Sequence, residues 1–312
     1  MDYYVKVDGG IGRVLASTGV LESFAALKHK EGHTVNVVSS FPQIFDGLDV
    51  DRVYHLTMPY LYEDYIRKGE FLEPEPYNSR LYYADSKHLA SVFNSILTGS
   101  QEFIRPHLVL TDNELLEARL YIEGMRNKHG KKVLLIQPWG STGGIGLSGG
   151  GVKADESYRS FSYKFYSKFA EELSPEFTLL SVQNTANNDG NQGPQISLKD
   201  TIVVNHNDVR RVFALIPFVD GVVACDSMLH HASAALGTPV KTFVYWGGTD
   251  ARNLGYQEHT NFVPVKPVLI EPNRVPHNRA YYVSKNKGCN DFDLGSIDVI
   301  RKAYSTPLLN SK

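Results

Sequence analysis

The chain has little cysteine. Among its 312 residues Cys225 and Cys289 are the two thiols, too few for a disulfide framework and not spaced as metal-ligating pairs. Cys225 falls inside an apolar run, where a thiol behaves as a small buried hydrophobe. Long hydrophobic runs are missing too. None approaches the ~20 residues that span a bilayer, and the strand-like "YYVKV" at the start follows neither a basic nor a long apolar leader. Charge of one sign is also absent. A net charge of −2 gives no global attraction to nucleic acid or to a membrane, although a local basic face is compatible with that sum. With 42% hydrophobic and 21% charged residues, the composition is that of an ordinary globular protein. These absences point to a reduced, cytoplasmic chain.

What is present suggests two domains, because the length exceeds one ordinary core. β-Branched and aromatic runs recur at 3–7, 34–38, 52–56 and 107–110, then at 132–136, 178–182, 201–204, 221–225 and 241–245. Helical patterns separate them, as in "VLESFAALKHKEGH", where Leu21, Phe24, Ala25 and Leu27 share a face and Gly32 ends the run. Strands alternating with helices predict βαβ units and parallel sheets. The polar hinge near Asn127–Lys131 divides the chain into residues 1–129 and 130–290, with 291–312 as a closing helix and tail. The tyrosine-rich stretch Tyr60–Ser79 reads as an irregular insertion in the first half.

Three stretches carry candidate chemistry. "VDGGIGRVLAST" sets Gly10 and Gly12 between a first strand and a helix, where free amides suit an anion. A dinucleotide site is disfavoured, because Leu15 stands where a third Gly is needed and the second strand ends in "VVSSF" without an acid. "QPWGSTGGIGLSGGGVK" also follows a strand and holds seven glycines between Gly140 and Gly151, but lacks the Gly-Lys-Ser/Thr of a P-loop. It fits either a loop that closes over a ligand or a plain surface insertion. "VVACDSMLHHASAALGTPVKTFVYWGGTDARNLGY" delivers Asp226 to a strand's carboxyl edge. Helix capping by Asp226 or Ser227 explains one residue there. It does not explain His231, and Gly247-Gly248-Thr249 repeats the arrangement after the next strand. Two anion-friendly turns on adjacent strands point to a phosphate-bearing ligand.

This last stretch resembles the glycosyltransferase family 9 heptosyltransferases, whose pattern runs roughly D-S-G-x-x-H-L-A-A-A-L-G-T-P, a strand, then F-G-x-T-D-P. "VKVDGGIGRVLASTGVLESFAAL", "VLLIQPWGST" and "YRSFSYKFYSKFAEEL" are similar to its other segments, in the same order. The resemblance implies an α/β GT-B fold: two Rossmann-like, doubly wound parallel-sheet domains facing a central cleft. The first would hold the acceptor and the second the nucleotide-sugar donor, with the closing helix returning to the first. It implies a donor site of Ser141, Thr142, Asp226, Ser227, Met228, Leu229, His231, Gly248, Thr249 and Asp250. Asp226 would hold sugar hydroxyls and the amides of Ser227–Leu229 the diphosphate. Arg159 takes the place of the Lys that stabilises the departing diphosphate. Gly10, Gly12 and Arg13 lie on the acceptor side. Arg13 stands where the family has its general-base Asp, so Asp8 is the substitute. Met228 replaces the Gly of D-S-G.

The expected function is metal-independent, inverting transfer of a sugar from a nucleotide-diphosphate-sugar to an acceptor hydroxyl, with no cofactor and no metal. The expected acceptor is a glycan or lipopolysaccharide precursor, which allows a peripheral place at the inner membrane face. The aromatic loop leaves open a hydroxymethylated base of phage DNA, provided that Arg67, Lys68, Arg80, Lys87 and Arg105 cluster. Arg13 leaves open a nucleotide-sugar-binding protein without catalysis.

Overall fold

The computed structural model describes residues 1–140, 146–148, 151–153, 159–183, 198, 200–205, 208–264 and 292–305. The first run of strands, β1 (Asp2–Lys6), β2 (Thr34–Ser39), β3 (Arg52–His55) and β4 (Glu70–Leu72), forms a parallel sheet in the order β3-β2-β1-β4. In the second half β5 (Lys132–Gln137) is followed by a small antiparallel hairpin, β6 (Gly146–Ser148) with β7 (Gly151–Lys153), inside the glycine run. Then come β8 (Phe177–Gln183), β9 (Thr201–Asn205), β10 (Gly221–Cys225), β11 (Lys241–Tyr245) and β12 (Thr260–Phe262). With β5 they build a six-stranded parallel sheet ordered β12-β11-β10-β5-β8-β9. Its central strands are apolar without alternation because helices cover both faces; every residue of β8 and β10 is buried.

Strand order locates the places where ligands can bind. In each sheet the first strand has its successors on one side and a later strand on the other: β4 beside β1, and β10 beside β5. Chain connections depart in opposite directions from such a switch point and leave a crevice at the strands' carboxyl ends. Asp8 and the Gly9–Gly12 turn sit at the first, and Gln137 and Asp226 at the second.

Helix α1 (Ile11–Lys30) explains how the halves join. From Val14 to Leu21 it is buried all round, since it packs on its own sheet, on α4 (Leu89–Thr98) and on α8 (Met228–Leu236) of the second half. One hydrophobic cluster therefore runs through both halves, from Val5 and Leu15 to Val222 and Leu229. The far face of the second sheet has a separate aromatic core of Phe161, Phe165, Phe169, Tyr245 and Phe292.

Three expectations change. The apolar run 107–110 is not a strand. Its Leu108 enters the core, but its backbone crosses α1, with the His107 N–H bonded to Thr18 Oγ1 at 2.9 Å. The chain passes so near that a Cβ on Gly19 would lie 2.0 Å from the Arg105 carbonyl oxygen. The sheet edge is taken instead by β4, from within the tyrosine-rich stretch. Helix α5 (Asp112–His129), N-terminal to the expected hinge, packs on the second half against β5 and α7 (Val209–Leu215). The closing helix Gly295–Ser305 also stays with the second half rather than returning to the first. Ile297 and Ile300 join the aromatic core, and Tyr304 Oη donates to the Asp220 carbonyl at 3.0 Å.

A part-buried ion pair locks α5 and α7 to the first half. Arg210 donates to both oxygens of Glu114, at 2.6 and 2.8 Å, and to the carbonyls of Gln43 and Val109. Glu114 also closes a capping box with Thr111. The Arg210 hydrogen bonds outweigh burial and hold the Glu114 carboxyl down at about 2. A carboxyl depressed in the folded state stabilises it above its ordinary value and stops doing so as it protonates. Glu114→Gln should therefore lower unfolding free energy by about 1–2 kcal/mol at neutral pH, allowing for a side chain one-fifth exposed. In urea titrations across pH, the gap between wild type and variant should close as pH falls from 4.5 towards 2.

Candidate functional site

The second switch point is built on the end of β5. Gln137 is the last residue of "VLLIQ", and its side chain crosses to the strand beside it. Gln137 Oε1 accepts from Ser227 Oγ at 2.7 Å and from the Leu229 N–H at 3.0 Å. Helix α8 thus has its first turn capped by a neighbouring strand, and neither Asp226 nor Ser227 supplies the expected cap. A consequence follows for anion binding. The Leu229 amide, implied by the resemblance as a diphosphate donor, is already engaged, which leaves the amides of Ser227 and Met228.

Asp226 is buried, 2% exposed, between Arg159 and His230. Its Oδ2 lies 3.9 Å from Arg159 Nη1 and its Oδ1 3.5 Å from His230 Nε2. Arg159 is held there because the Gly140 N–H donates to Ser160 Oγ at 2.9 Å, tying the turn after β5 to the segment before helix α6 (Tyr163–Leu173). The structure thus brings together Asp226 and Arg159, which the sequence separates by 67 positions.

His231 keeps one ring nitrogen within 4.8 Å of ligand atoms of Asp226 and His230 and also faces the seam. Its Nδ1 is 2.8 Å from Tyr256 Oη, and its ring lies tilted against His230 with centroids 3.9 Å apart. Across the seam stands the glycine turn of the first half. A Cβ placed on Gly12 would lie 2.6 Å from His231 Cδ2, so only a glycine admits the ring. Around this contact the halves are sewn by Asn253, which donates to the carbonyls of Tyr82 and Lys87, and by Arg105, which donates to the Ala234 carbonyl. His88 of the first half lies 5.1 Å from the Tyr256 ring.

Burial sets the protonation of this cluster. Burial, aided by the neighbouring histidines, pushes His230 and His231 well below the ordinary imidazole value, with Asp226 opposing it at His231. Burial, opposed by a backbone hydrogen bond with Leu254, takes His88 to about 4, and burial with the Arg105 charge takes His259 to about 4. All four rings are therefore neutral at neutral pH.

The remaining expected residues divide. Asp8 lies at the exit of β1, half-buried; burial raises its carboxyl, but hydrogen bonds from Ser40 and the Gly9 amide outweigh this and hold it below the ordinary value. Gly10 starts α1. Arg13 does not enter the seam. It donates to Glu75 at 3.0 Å and to the Pro74 carbonyl, and lies over Tyr77 and Phe93. Thr249 is buried with its hydroxyl unbonded, beside Gly248. Asp250 caps helix α9 (Ala251–Leu254) and is gripped by Arg252, so both its oxygens are engaged. Ser141 and Thr142 lie outside the described residues. Gln137, His88 and Tyr256 join the site without having been expected from the sequence. A polar residue ending a buried strand was the available clue for Gln137; nothing local marked the other two.

No protein-family model matches the chain, and no curated protein matches it in sequence. Solved structures do. The glycosyl transferase family 9 protein from Veillonella parvula DSM 2008 is 10% identical, with a TM-score of 0.65 over 97% of this chain and 96% of that one. The E. coli ADP-heptose lps heptosyltransferase II is 11% identical, with a TM-score of 0.58 over 91% of this chain and 99% of that one. The iron-containing dodecameric glycosyltransferase TibC from enterotoxigenic E. coli H10407 is 10% identical, with a TM-score of 0.59 over 97% of this chain and 76% of that one. The chain has the fold of family 9 glycosyltransferases. Gly12 of its first half meets His231 of its second, and no described helix is long and apolar enough to cross a membrane.

The Gly12–His231 contact is directly testable. His231 is pinned by Tyr256 and His230, so it cannot swing aside at little cost. Gly12→Ala should destabilise the fold by about 1–3 kcal/mol. His231→Ala in the same chain should recover most of that loss, a non-additivity read from urea unfolding of the double-mutant cycle. Strict additivity would mean that the two residues do not touch in solution.

Proposed function

We propose that the protein is an inverting glycosyltransferase that moves a sugar, heptose-like in the leading case, from a nucleotide-diphosphate donor to an acceptor hydroxyl. The observation that carries this reading is the juxtaposition of the two switch points. Asp226, Arg159 and the start of α8 lie on one side, the Asp8–Gly12 turn on the other, in a fold shared with heptosyltransferases. The donor would lie on the second half, its sugar hydroxyls on Asp226 and its diphosphate on the amides of Ser227 and Met228. Asp8 would take the acceptor proton as the hydroxyl attacks the anomeric carbon, and the bond to the departing diphosphate breaks in the same displacement. Arg159, a planar bidentate cation, would offset the charge that develops on that diphosphate. In this reading the group-transfer step itself calls for no metal ion bound to the diphosphate.

Asp226 and His231 are both buried at the seam, so in this reading a donor would reach them only through a local opening of the seam. A ligand-sized opening of about 400 Å³ elsewhere, between α5, α7 and β9, shares no residue with this cluster. For the acceptor, a surface glycan precursor is preferred over DNA, because two of the five basic residues already face carboxylates. Arg80 lies near Asp85, and Arg105 is paired with Glu258.

A panel of nucleotide sugars that includes ADP-heptose should show release of nucleoside diphosphate in the presence of acceptor. Asp226→Asn should lower kcat/KM at least ~100-fold, and Asp8→Asn should lower kcat with little change in KM. Because Asp8 ionises below the ordinary carboxylate range, kcat/KM should stay flat as pH falls from neutral and drop only below that range. Donor binding without turnover, unaltered by Asp8→Asn, would favour a binding protein. Failure of every donor to bind would sink the reading.

A further inference from the structure

We propose that Asp226, His230 and His231 form a binding site for a divalent transition-metal ion. His230 has no counterpart in the D-S-G-x-x-H pattern that the chain otherwise resembles, in which only the position of His231 is histidine. In this chain it places a second imidazole between that histidine and the aspartate.

Geometry brings the three together. Asp226 immediately precedes the cap of α8 and His230 lies four positions on, so both project to one side of its first turn. One ligand atom from each residue lies within 4.8 Å of the others, and all three residues are buried. An ion held by bonds of about 2.1 Å needs ligand atoms roughly 3–3.5 Å apart. The Asp226 Oδ1 to His230 Nε2 separation, 3.5 Å, already meets that spacing. The three ligand atoms together span at most 4.8 Å, so binding would draw the set together by about an ångström in all. Its Nδ1 is bonded to Tyr256 Oη, which orients the ring as the outer hydrogen bonds of metal-bound histidines do and leaves Nε2 as the remaining ligand atom.

A second observation is independent of that spacing. Asp226 Oδ2 and both nitrogens of His230 are buried without a hydrogen-bond partner. Native interiors rarely leave such groups unsatisfied. An ion between the carboxylate and His230 would give the buried, unpartnered Nε2 of His230 a ligand bond. Arg159 stands 3.9 Å from Oδ2, so the ion belongs on the Oδ1 side, where His230 is. Two imidazoles and one carboxylate suit Zn²⁺, Fe²⁺ or Co²⁺, and are poorly matched to Mg²⁺, which prefers oxygen. Three protein ligands leave coordination positions open. The site does not depend on the transferase reading, since all its ligands come from α8 and the residue before its cap.

The test needs no donor. Full-length protein is stripped with a chelator and titrated with Zn²⁺ or, without oxygen, Fe²⁺, and metal per chain is measured by elemental mass spectrometry. The expected result is one ion per chain, with affinity at least 10-fold lower in His230→Ala and in Asp226→Asn. The surface variant His33→Ala should bind as wild type does. If His230→Ala does not fold, as judged by circular dichroism, His230→Gln takes its place. Cobalt titration of the wild type should then give the visible d–d bands of a site with few ligands. No uptake by the stripped wild type, uptake undiminished in the His230 variant, or a cobalt spectrum identical to that of the free ion would each overturn the proposal. Turnover of nucleotide sugars is a separate readout, so either idea can fail alone.

Discussion

The architecture depends on how closely the first sheet's carboxyl edge approaches the second. That distance is set where Gly12 meets His231, since any side chain at residue 12 would collide with the ring. Around that contact α1 is buried on every side. Its first half therefore reads as an apolar run with small residues, Ala16, Ser17 and Gly19, where its neighbours are tightest. The polar members of the run satisfy themselves locally: Ser17 and Thr18 donate to the carbonyls of Val14 and Leu15. A continuous core through both halves is the result, and with it a seam where Gly12 of the first half meets His231 of the second.

That seam is not optimised for stability. It gathers His88, His230, His231, His259, Tyr256, Asp226 and Thr249 into apolar surroundings, several with a polar atom unbonded. Each such atom typically costs about 1–3 kcal/mol relative to a satisfied one. The large apolar clusters on both faces of the second sheet offset this, and the Glu114–Arg210 lock adds a polar connection that is well satisfied. Stability and polarity are thus segregated. The lock lies on α5 and α7, and several of the unsatisfied groups, Asp226, His230 and Thr249 among them, follow the carboxyl ends of β10 and β11, where ligands bind in this class of sheet.

Much of the sheet architecture could be read from residues alone, because buried parallel strands announce themselves as runs of Val, Ile and Leu. "VLLIQ", "TLLSV" and "VVAC" are examples, and Asp226 could be placed at a strand exit for the same reason. Short edge strands carry no such run. "EFL" and "TNF" are strands only because β1 and β11 present partners to them. The stretch "PHLVL" failed in the opposite sense. Its apolar residues do enter the core, yet its backbone pairs with a threonine on a helix. Arg13 was legible as a departure from the family pattern, but its partners Glu75 and Tyr77 lie more than 60 positions away. Tyr256 and His88 belong to the cluster only through the meeting of the halves, which is a tertiary fact.

The neutral state of the buried histidines links the fold to its chemistry. An imidazolium at the start of α8 would oppose the positive end of the helix and the nearby Arg159, and burial adds to both effects. Neutral rings keep one lone pair and one N–H each, the combination needed to hold an ion or a hydroxyl without adding net charge. They also leave Arg159 as the cation nearest Asp226, at 3.9 Å. The negative charge of a diphosphate would then find its counter-charge on a side chain that is held in place before the ligand arrives. Because Gly140 and Ser160 fix that side chain through the turn leaving β5, the same strand that caps α8 through Gln137 also positions the cation. One strand end therefore controls both the free amides and the charge, and the preorganisation of the site follows from the placement of β5 at the centre of its sheet.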